Sequence, residues 1–81
     1  MDYKNLALDI LENVCETDEI REDLDMDLFE AGLIDSLSSI SILLEIEEKL
    51  GIKLQITDFD KSDISTVNNL ALFLEKRSEQ N

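Results

Sequence analysis

Apolar residues recur at helical spacing in separate segments of the chain, and this periodicity constrains the fold more than any other feature. In the first segment they stand at i, i+1, i+4, i+5 and i+8, which places them on one face of a helix. These residues are Leu6, Ala7, Ile10, Leu11 and Val14. We expect this helix to run from Asp2 to Cys15.

The last segment has a face of the same kind, with spacing i, i+3, i+4 and i+7. Its members are Val67, Leu70, Ala71 and Leu74, with Phe73 beside them. This pattern predicts a helix that begins at Ser65 or Thr66. Lys76 and Arg77 suit its C-terminal end, where a positive charge stabilises the helix dipole. Residues 78–81 are expected to fray.

The middle segment, residues 36–50, is apolar over more than half of its helical circumference. The apolar stripe at helical spacing consists of Leu37, Ile40, Leu43, Leu44 and Leu50, with Ile42 and Ile46 off its centre. Asp35 is a suitable N-cap, and Gly51 is a suitable left-handed stop. So wide an apolar surface indicates that some side chains are buried by other elements or left for a partner.

The connections complete the fold prediction. Residues 16–35 lack periodicity, and a loop of this length must be pinned to the core or serve a function. Its anchors are expected to be Leu24, Leu28, Phe29, Leu33 and Ile34, with a short turn at 18–23 and a sharp turn at Gly32.

Residues 52–56 are expected to be an extended connector. The stretch TDFDKSDI, capped by Thr57 and Asp60, is expected to be a short helix with Phe59 and Ile64 turned inward. The whole chain is predicted to be one all-α domain, a small four-helix bundle of three longer helices and a short one.

The charge balance limits the partners that this chain can bind. Seven basic and twenty acidic residues give a net charge of −13. Nucleic acid and anionic membranes are excluded, because both require clustered Lys and Arg. A partner with a basic docking patch fits this charge, and so does simple solubility.

No apolar run approaches the ~20 residues that span a bilayer, and the N-terminus does not have the pattern of a signal peptide. The single Cys15 suits a reducing, cytoplasmic setting.

Several kinds of catalytic or metal site can be excluded from the sequence. The chain has no histidine, so it cannot build a Ser-His-Asp site. Asp23, Asp25 and Asp27 resemble the start of a calcium loop. However, the positions that need Gly and Glu hold Leu28 and Ile34. We therefore predict no metal site and no catalytic residue.

Ser36 is the residue that this reasoning leaves to be explained. At the first position of the middle helix its hydroxyl should face solvent near several unpaired backbone N–H groups. A phosphate attached there would be stabilised by the helix dipole. The serine is then either a modification site for a separate enzyme or an ordinary polar residue at a helix start.

The segment LFEAGLIDSL and the helix SSISILLEIEEKLGIKL that follows it resemble the attachment motif of acyl and peptidyl carrier proteins. The resemblance covers nearly the whole chain. It implies that Ser36, flanked by Asp35 and Leu37, bears a covalent 4′-phosphopantetheine arm derived from coenzyme A. Acyl groups would travel on this arm as thioesters. The resemblance also implies that Leu37, Leu44, Glu47 and Glu48 form the partner-docking face.

Within that family, the pairs Phe29-Glu30 and Phe59-Asp60 are most similar to the D-alanyl carrier proteins of teichoic-acid modification. The resemblance then implies three kinds of partner: a phosphopantetheinyl transferase, an adenylating ligase and a membrane acyltransferase, each with a basic docking patch. The stretch ISTV at 64–67 is more similar to fatty-acid carriers. A fatty-acid or polyketide carrier is therefore one alternative, with synthase enzymes as its partners, and an unmodified acidic interaction module is another. The carrier is expected to be a monomeric, cytoplasmic protein that is a substrate of enzymes and not itself an enzyme.

Overall fold

Three α-helices form the framework of the molecule. The computed structural model describes residues 2–80, except for the side chains of Ile56, Glu79 and Gln80. The helices are α1, Tyr3–Cys15; α2, Ser36–Leu50; and α3, Val67–Gln80. Short 3₁₀ helices cover Glu19–Arg21, Ile56–Asp58 and Lys61–Ile64, and residues 2–80 contain no strand. The predicted all-α fold is confirmed.

A capping residue at each end fixes the bounds of the first helix. The Asp2 carboxylate accepts hydrogen bonds from the backbone N–H groups of Lys4 and Asn5 at 3.1 and 3.2 Å. Glu16 then adopts a left-handed conformation with φ 57°, which ends the helix. Asp2 is therefore the cap, and the helical residues begin one position later than predicted.

The core lies where α1 and α3 pack together, with α2 against α1. The expected inward faces of α1 and α3 are confirmed. The residues with no exposed surface include Ala7, Ile10, Leu11, Leu70 and Leu74. Ile20, Leu28 and Ile64, which lie outside the α-helices, are buried to the same extent. The segments between the α-helices therefore contribute fully to the core.

The apolar residues of α2 are divided between the core and solvent. Ile42, Leu43 and Ile46 are buried. Leu37, Ile40 and Leu44 are 76%, 50% and 57% exposed. At 3.6 residues per turn these two sets lie on opposite faces of the helix. Because α2 is apolar over more than half of its circumference, its periodicity does not identify the inward face, which is determined by the packing against α1.

The predicted short third helix is instead two 3₁₀ helices. The Asp58 carboxylate accepts from the Gln55 N–H and the Asp63 carboxylate from the Asp60 N–H, both at 2.8 Å. Each pair closes a separate capping box, and Phe59 between them is extended, with φ −138° and ψ 155°. Two helix starts so close together prevent a continuous helix, and Gln55 replaces Thr57 as the first cap. Phe59 and Ile64 do point inward, as predicted.

The long loop from 16 to 35 is tied to α1 and α3. Arg21 pairs with Glu12 and Asp9 of α1. The Leu28 N–H donates to the Ser65 carbonyl at 2.7 Å, and the Asn68 N–H donates to the Leu24 carbonyl at 3.2 Å. The expected apolar anchors all contact the core, with Leu28 and Ile34 buried. The loop is thus held from its first turn to the start of α2.

Two glycines make the turns that flank α2. Gly32 and Gly51 have φ of 75° and 66°, the left-handed region in which a side chain would be strained. After Gly51 the connector returns along α2, where the Leu54 N–H donates to Glu47 Oε2 at 3.0 Å. The helix α3 extends through Gln80, and Asn81 lies outside the described residues. The predicted fraying of residues 78–81 stays a prediction.

Candidate functional site

Ser36 is the first residue of α2, and its side chain is exposed. Within residues 2–80 its hydroxyl makes no hydrogen bond to another protein group. Neighbouring serines differ, since the Ser38 hydroxyl donates to Asp35 Oδ1 and the Ser39 hydroxyl donates to the Asp35 carbonyl. The oxygen of Ser36 is therefore available to an enzyme that approaches from solvent.

Asp35 caps the helix that presents this serine. Its Oδ1 accepts from the backbone N–H groups of Leu37 and Ser38, both at 3.0 Å. The Ser38 backbone N–H and hydroxyl, followed by the Leu37 N–H, hold the pKa of the Asp35 carboxyl below its ordinary value. A carboxylate engaged in this way is a weak base. Asp35 positions the start of the helix and is poorly suited to deprotonating Ser36.

An open groove of about 550 Å³ lies beside the serine. Its lining residues are Phe29, Ile34, Asp35, Ser36, Ser39, Phe59 and Lys61. Phe29 comes from the long loop, and Phe59 comes from the break between the last two 3₁₀ helices. Phe59 is fixed by an edge-to-face contact with Phe73, with ring centroids 5.9 Å apart. The fold thus brings three separate segments together around one hydroxyl.

Lys61 is the groove residue that sequence reasoning missed. Its Nζ lies 4.5 Å from the centroid of the Phe29 ring. The contact joins residues far apart in the chain, so no local pattern could have predicted it. An indirect signal did exist, because Phe29 and Phe59 belong to the two pairs that link this sequence to D-alanyl carriers.

The exposed face of α2 contains most of the predicted docking residues. Leu37, Leu44 and Glu48 lie along one exposed side of the helix. Ile40 lies next to them and is 50% exposed, although it was not among the predicted docking residues. Glu47 is different: it is partly buried, and its carboxylate holds the Leu54 N–H. We call Leu37, Ile40, Leu44 and Glu48 the docking ridge.

The acidic loop contains turn-forming carboxylates. Asp23 Oδ1 accepts from the Asp25 N–H, and Asp27 Oδ1 accepts from the N–H groups of Phe29 and Glu30. Across the described part of the chain, no three His, Cys, Asp or Glu side chains are grouped so that they could hold a metal ion. No helix in the same range is long and apolar enough to cross a membrane.

Comparison with known families supports the interpretation of this geometry. Residues 5–74 match the family model described as the phosphopantetheine attachment site. The chain belongs to this family. It is also 44% identical over 75 residues to the D-alanyl carrier protein of Bacillus cereus (strain B4264), an alignment that covers 93% of this chain and 95% of the relative. The D-alanyl carrier protein of Bacillus anthracis (strain CDC 684 / NRRL 3495) matches with the same identity and coverage. The family resemblance drawn from the sequence is confirmed.

The site fits the covalently attached phosphopantetheine that characterises the family. Attachment requires a hydroxyl that an outside enzyme can reach, and Ser36 provides one. The groove beside it is lined by apolar side chains, two serine hydroxyls, the Asp35 carboxylate and the Lys61 ammonium group. The apolar side chains, the hydroxyls and the ammonium group suit an arm that contains amides and a phosphodiester. The pantetheine thiol would supply the chemistry of the group, by bonding the acyl cargo as a thioester.

Proposed function

We propose that Ser36 bears 4′-phosphopantetheine and that the chain carries D-alanine between enzymes for the modification of teichoic acid. The observation that carries the proposal is the exposed, unbonded Ser36 hydroxyl in an Asp-Ser-Leu motif, in a chain 44% identical to D-alanyl carrier proteins. Asp35 and Leu37 flank the serine in this motif. The chain itself is then a substrate of enzymes and has no catalytic residue.

The attachment step is a phosphoryl transfer to oxygen. Ser36 Oγ forms an ester bond to the phosphorus of coenzyme A that carries the pantetheine, and the nucleotide portion of coenzyme A leaves. The hydroxyl proton passes to a base of the phosphopantetheinyl transferase, because this chain has no histidine and Asp35 is engaged in capping. The arm is thereby fixed at the start of α2.

The enzymes proposed to load and unload the chain would bind it through the same surface. An adenylating ligase would load D-alanine, and a membrane acyltransferase would receive it. The docking ridge offers apolar contact, and the net charge of −13 steers the chain towards basic patches. We propose a cytoplasmic monomer, consistent with the unpaired thiol of Cys15.

A fatty-acid or polyketide carrier is the second candidate, favoured by the stretch ISTV at 64–67. An unmodified interaction module would explain the acidity and the docking ridge. It would not require an exposed serine within an attachment motif. The D-alanyl assignment is supported by the 44% identity and by the position of Phe29 and Phe59 in the groove beside Ser36.

Intact-protein mass spectrometry tests the attachment. The chain is incubated with coenzyme A and a broad-specificity phosphopantetheinyl transferase. The wild-type chain and the Ser41→Ala variant, which loses another exposed hydroxyl of α2, should each gain the mass of one arm. Ser36→Ala should gain none. A mass gain on Ser36→Ala, or none on the wild type, would refute the proposed site.

A loading assay then identifies the cargo. The arm-bearing chain is offered D-alanine, ATP and the adenylating ligase in one reaction, and malonyl-coenzyme A with a malonyl transferase in another. We expect a D-alanyl adduct in the first and none in the second. The reverse result would establish the fatty-acid or polyketide alternative.

A further inference from the structure

Attachment of the arm creates an electrostatic problem at the start of α2. A phosphodiester is negatively charged, and it would be bonded to Ser36 immediately after the Asp35 carboxylate. The chain already has a net charge of −13. Like charges in such proximity repel, so the first part of the arm needs a nearby cation if it is to lie against the protein.

Lys61 is placed to supply this cation. It lines the same groove as Ser36, Asp35 and Ser39. Its ammonium lies over the Phe29 ring, where cation–π attraction favours one position of a long, flexible side chain. Within residues 2–80, the Lys61 ammonium forms no ion pair with a carboxylate whose side chain the structure describes. An ammonium held in this way keeps its donors available to an incoming anion.

The rest of the groove suits the part of the arm that follows the phosphate. Ile34 is 4% exposed and Phe59 is 9% exposed, so both are fixed walls of the groove. Phe59 is further held by its edge-to-face contact with Phe73. Besides the Asp35 carboxylate, the groove lining thus includes a hydroxyl, a cation and apolar walls. These groups suit the attachment point, the phosphodiester and the hydrocarbon portion of the arm.

We propose that Lys61 positions the arm by pairing with its phosphodiester and so lays the next portion of the arm against Ile34 and Phe59. The inference rests on the proposed attachment to Ser36. Lys61 acts here as a positioning residue and does not take part in the transfer chemistry. The arm then has two states, one along the groove and one extended into solvent, and Lys61 favours the first.

Nuclear magnetic resonance of the apo and holo forms tests this role. Four chains are compared: wild type, Lys61→Gln, Lys61→Arg and the control Lys53→Gln. Lys53 is exposed, and its neighbour Leu54 bonds to Glu47, which is about 17 Å of helix from Ser36. The measurements are the ³¹P chemical shift of the phosphodiester and the apo-to-holo shift changes of the Phe29 and Phe59 rings. Mass spectrometry first shows that each chain carries the arm, so failure of the attachment proposal is detected separately.

We expect the ring shift changes to be preserved in Lys53→Gln and Lys61→Arg. In Lys61→Gln the ratio of groove-bound to extended arm should fall roughly 1.5- to 5-fold, the size of an exposed ion pair. High salt should reduce the wild-type shift changes and leave those of Lys61→Gln unaltered. Equal apo-to-holo changes in wild type and Lys61→Gln, with the arm present on both, would overturn the role of Lys61.

Discussion

Asp35 and Ser36 are adjacent, yet the structure gives them opposite roles. Oδ1 of Asp35 accepts hydrogen bonds from the start of α2, whereas the Ser36 hydroxyl makes no hydrogen bond within the described chain. The acid makes the helix start rigid, and a rigid helix start holds the serine in one position. The proximity of an acid and a hydroxyl therefore reflects positioning of the serine, and it does not require acid–base catalysis.

Asp35 should stabilise the fold through the oxygen that accepts the capping hydrogen bonds, so a replacement without this oxygen should lower stability. Asp35→Ala removes the acceptor for the Leu37 and Ser38 N–H groups, so its melting temperature at neutral pH should be lower than that of the wild type. Asp35→Asn retains an acceptor oxygen and should melt close to the wild type. Equal melting temperatures for Ala and Asn would show that the capping bonds contribute nothing.

The same cap predicts a pH dependence. The folded pKa of Asp35 lies below its ordinary value of 3.8, because the ionised carboxylate accepts from Ser38 and Leu37. This stabilisation is complete above the unfolded pKa and is lost as pH falls through the folded pKa. The difference in melting temperature between wild type and Asp35→Ala should therefore be constant near neutral pH and shrink in the acid range. A constant difference down to the most acidic measurable pH would contradict this linkage.

At the scale of elements, α2 is a helix with two apolar faces that serve different purposes. Ile42, Leu43 and Ile46 pack into the core, and Leu37, Ile40 and Leu44 face solvent. Large exposed apolar side chains on one helix face are typical of a binding surface. Ser36, the proposed attachment site, stands at the N-terminal end of the same helix. One element therefore holds both the surface proposed for docking and the serine proposed to bear the arm.

Substitutions on the two faces should separate stability from binding. Ile46→Val creates a small cavity in the core and should lower the free energy of unfolding by about 0.5–1.5 kcal/mol. Leu44→Ala, at a position 57% exposed, should change it by less than about 0.5 kcal/mol. The loading rate by the ligase should fall for Leu44→Ala and stay near the wild-type value for Ile46→Val. Chemical denaturation and loading kinetics measure the two effects, and a ligase indifferent to Leu44→Ala would refute the docking ridge.

The predictions made from the sequence succeeded where a local pattern determines the structure. Asp35 and Gly51 predicted the bounds of α2, because capping depends on a few neighbouring residues. The apolar stripe of α2 did not identify its inward face, because a helix that is apolar over more than half of its circumference offers more than one side to the core. The short helix was also wrong, because two capping boxes compete within one stretch of nine residues, Gln55 to Asp63. Lys61 could not be placed beside Ser36, since that proximity depends on tertiary packing.

At the scale of the whole molecule, uncompensated negative charge is the dominant feature. Seven basic residues cannot neutralise twenty acidic ones. Arg21 and Arg77 form ion pairs with Asp9, Glu12 and Asp58. These pairs tie the long loop to α1 and the Ile56–Asp58 turn to α3. The remaining carboxylates repel one another, which destabilises the compact state.

Cations should therefore stabilise the fold. Raising the sodium chloride concentration should raise the melting temperature, because screening weakens the repulsion between carboxylates. Magnesium chloride should act at lower ionic strength, because a divalent ion associates more strongly with clustered acids. Differential scanning calorimetry at matched ionic strengths distinguishes the two effects. A melting temperature that responds to neither salt would show that repulsion between carboxylates does not destabilise the fold.

The docking ridge also bears on how copies of this chain behave towards each other. An apolar strip such as Leu37, Ile40 and Leu44 could in principle cover itself against the same strip of a second molecule. That approach would bring together two chains that each have a charge of −13. We therefore expect the acidity to favour the approach of positively charged surfaces to the ridge and to disfavour pairing of identical molecules. A crowded population of such chains should stay dispersed.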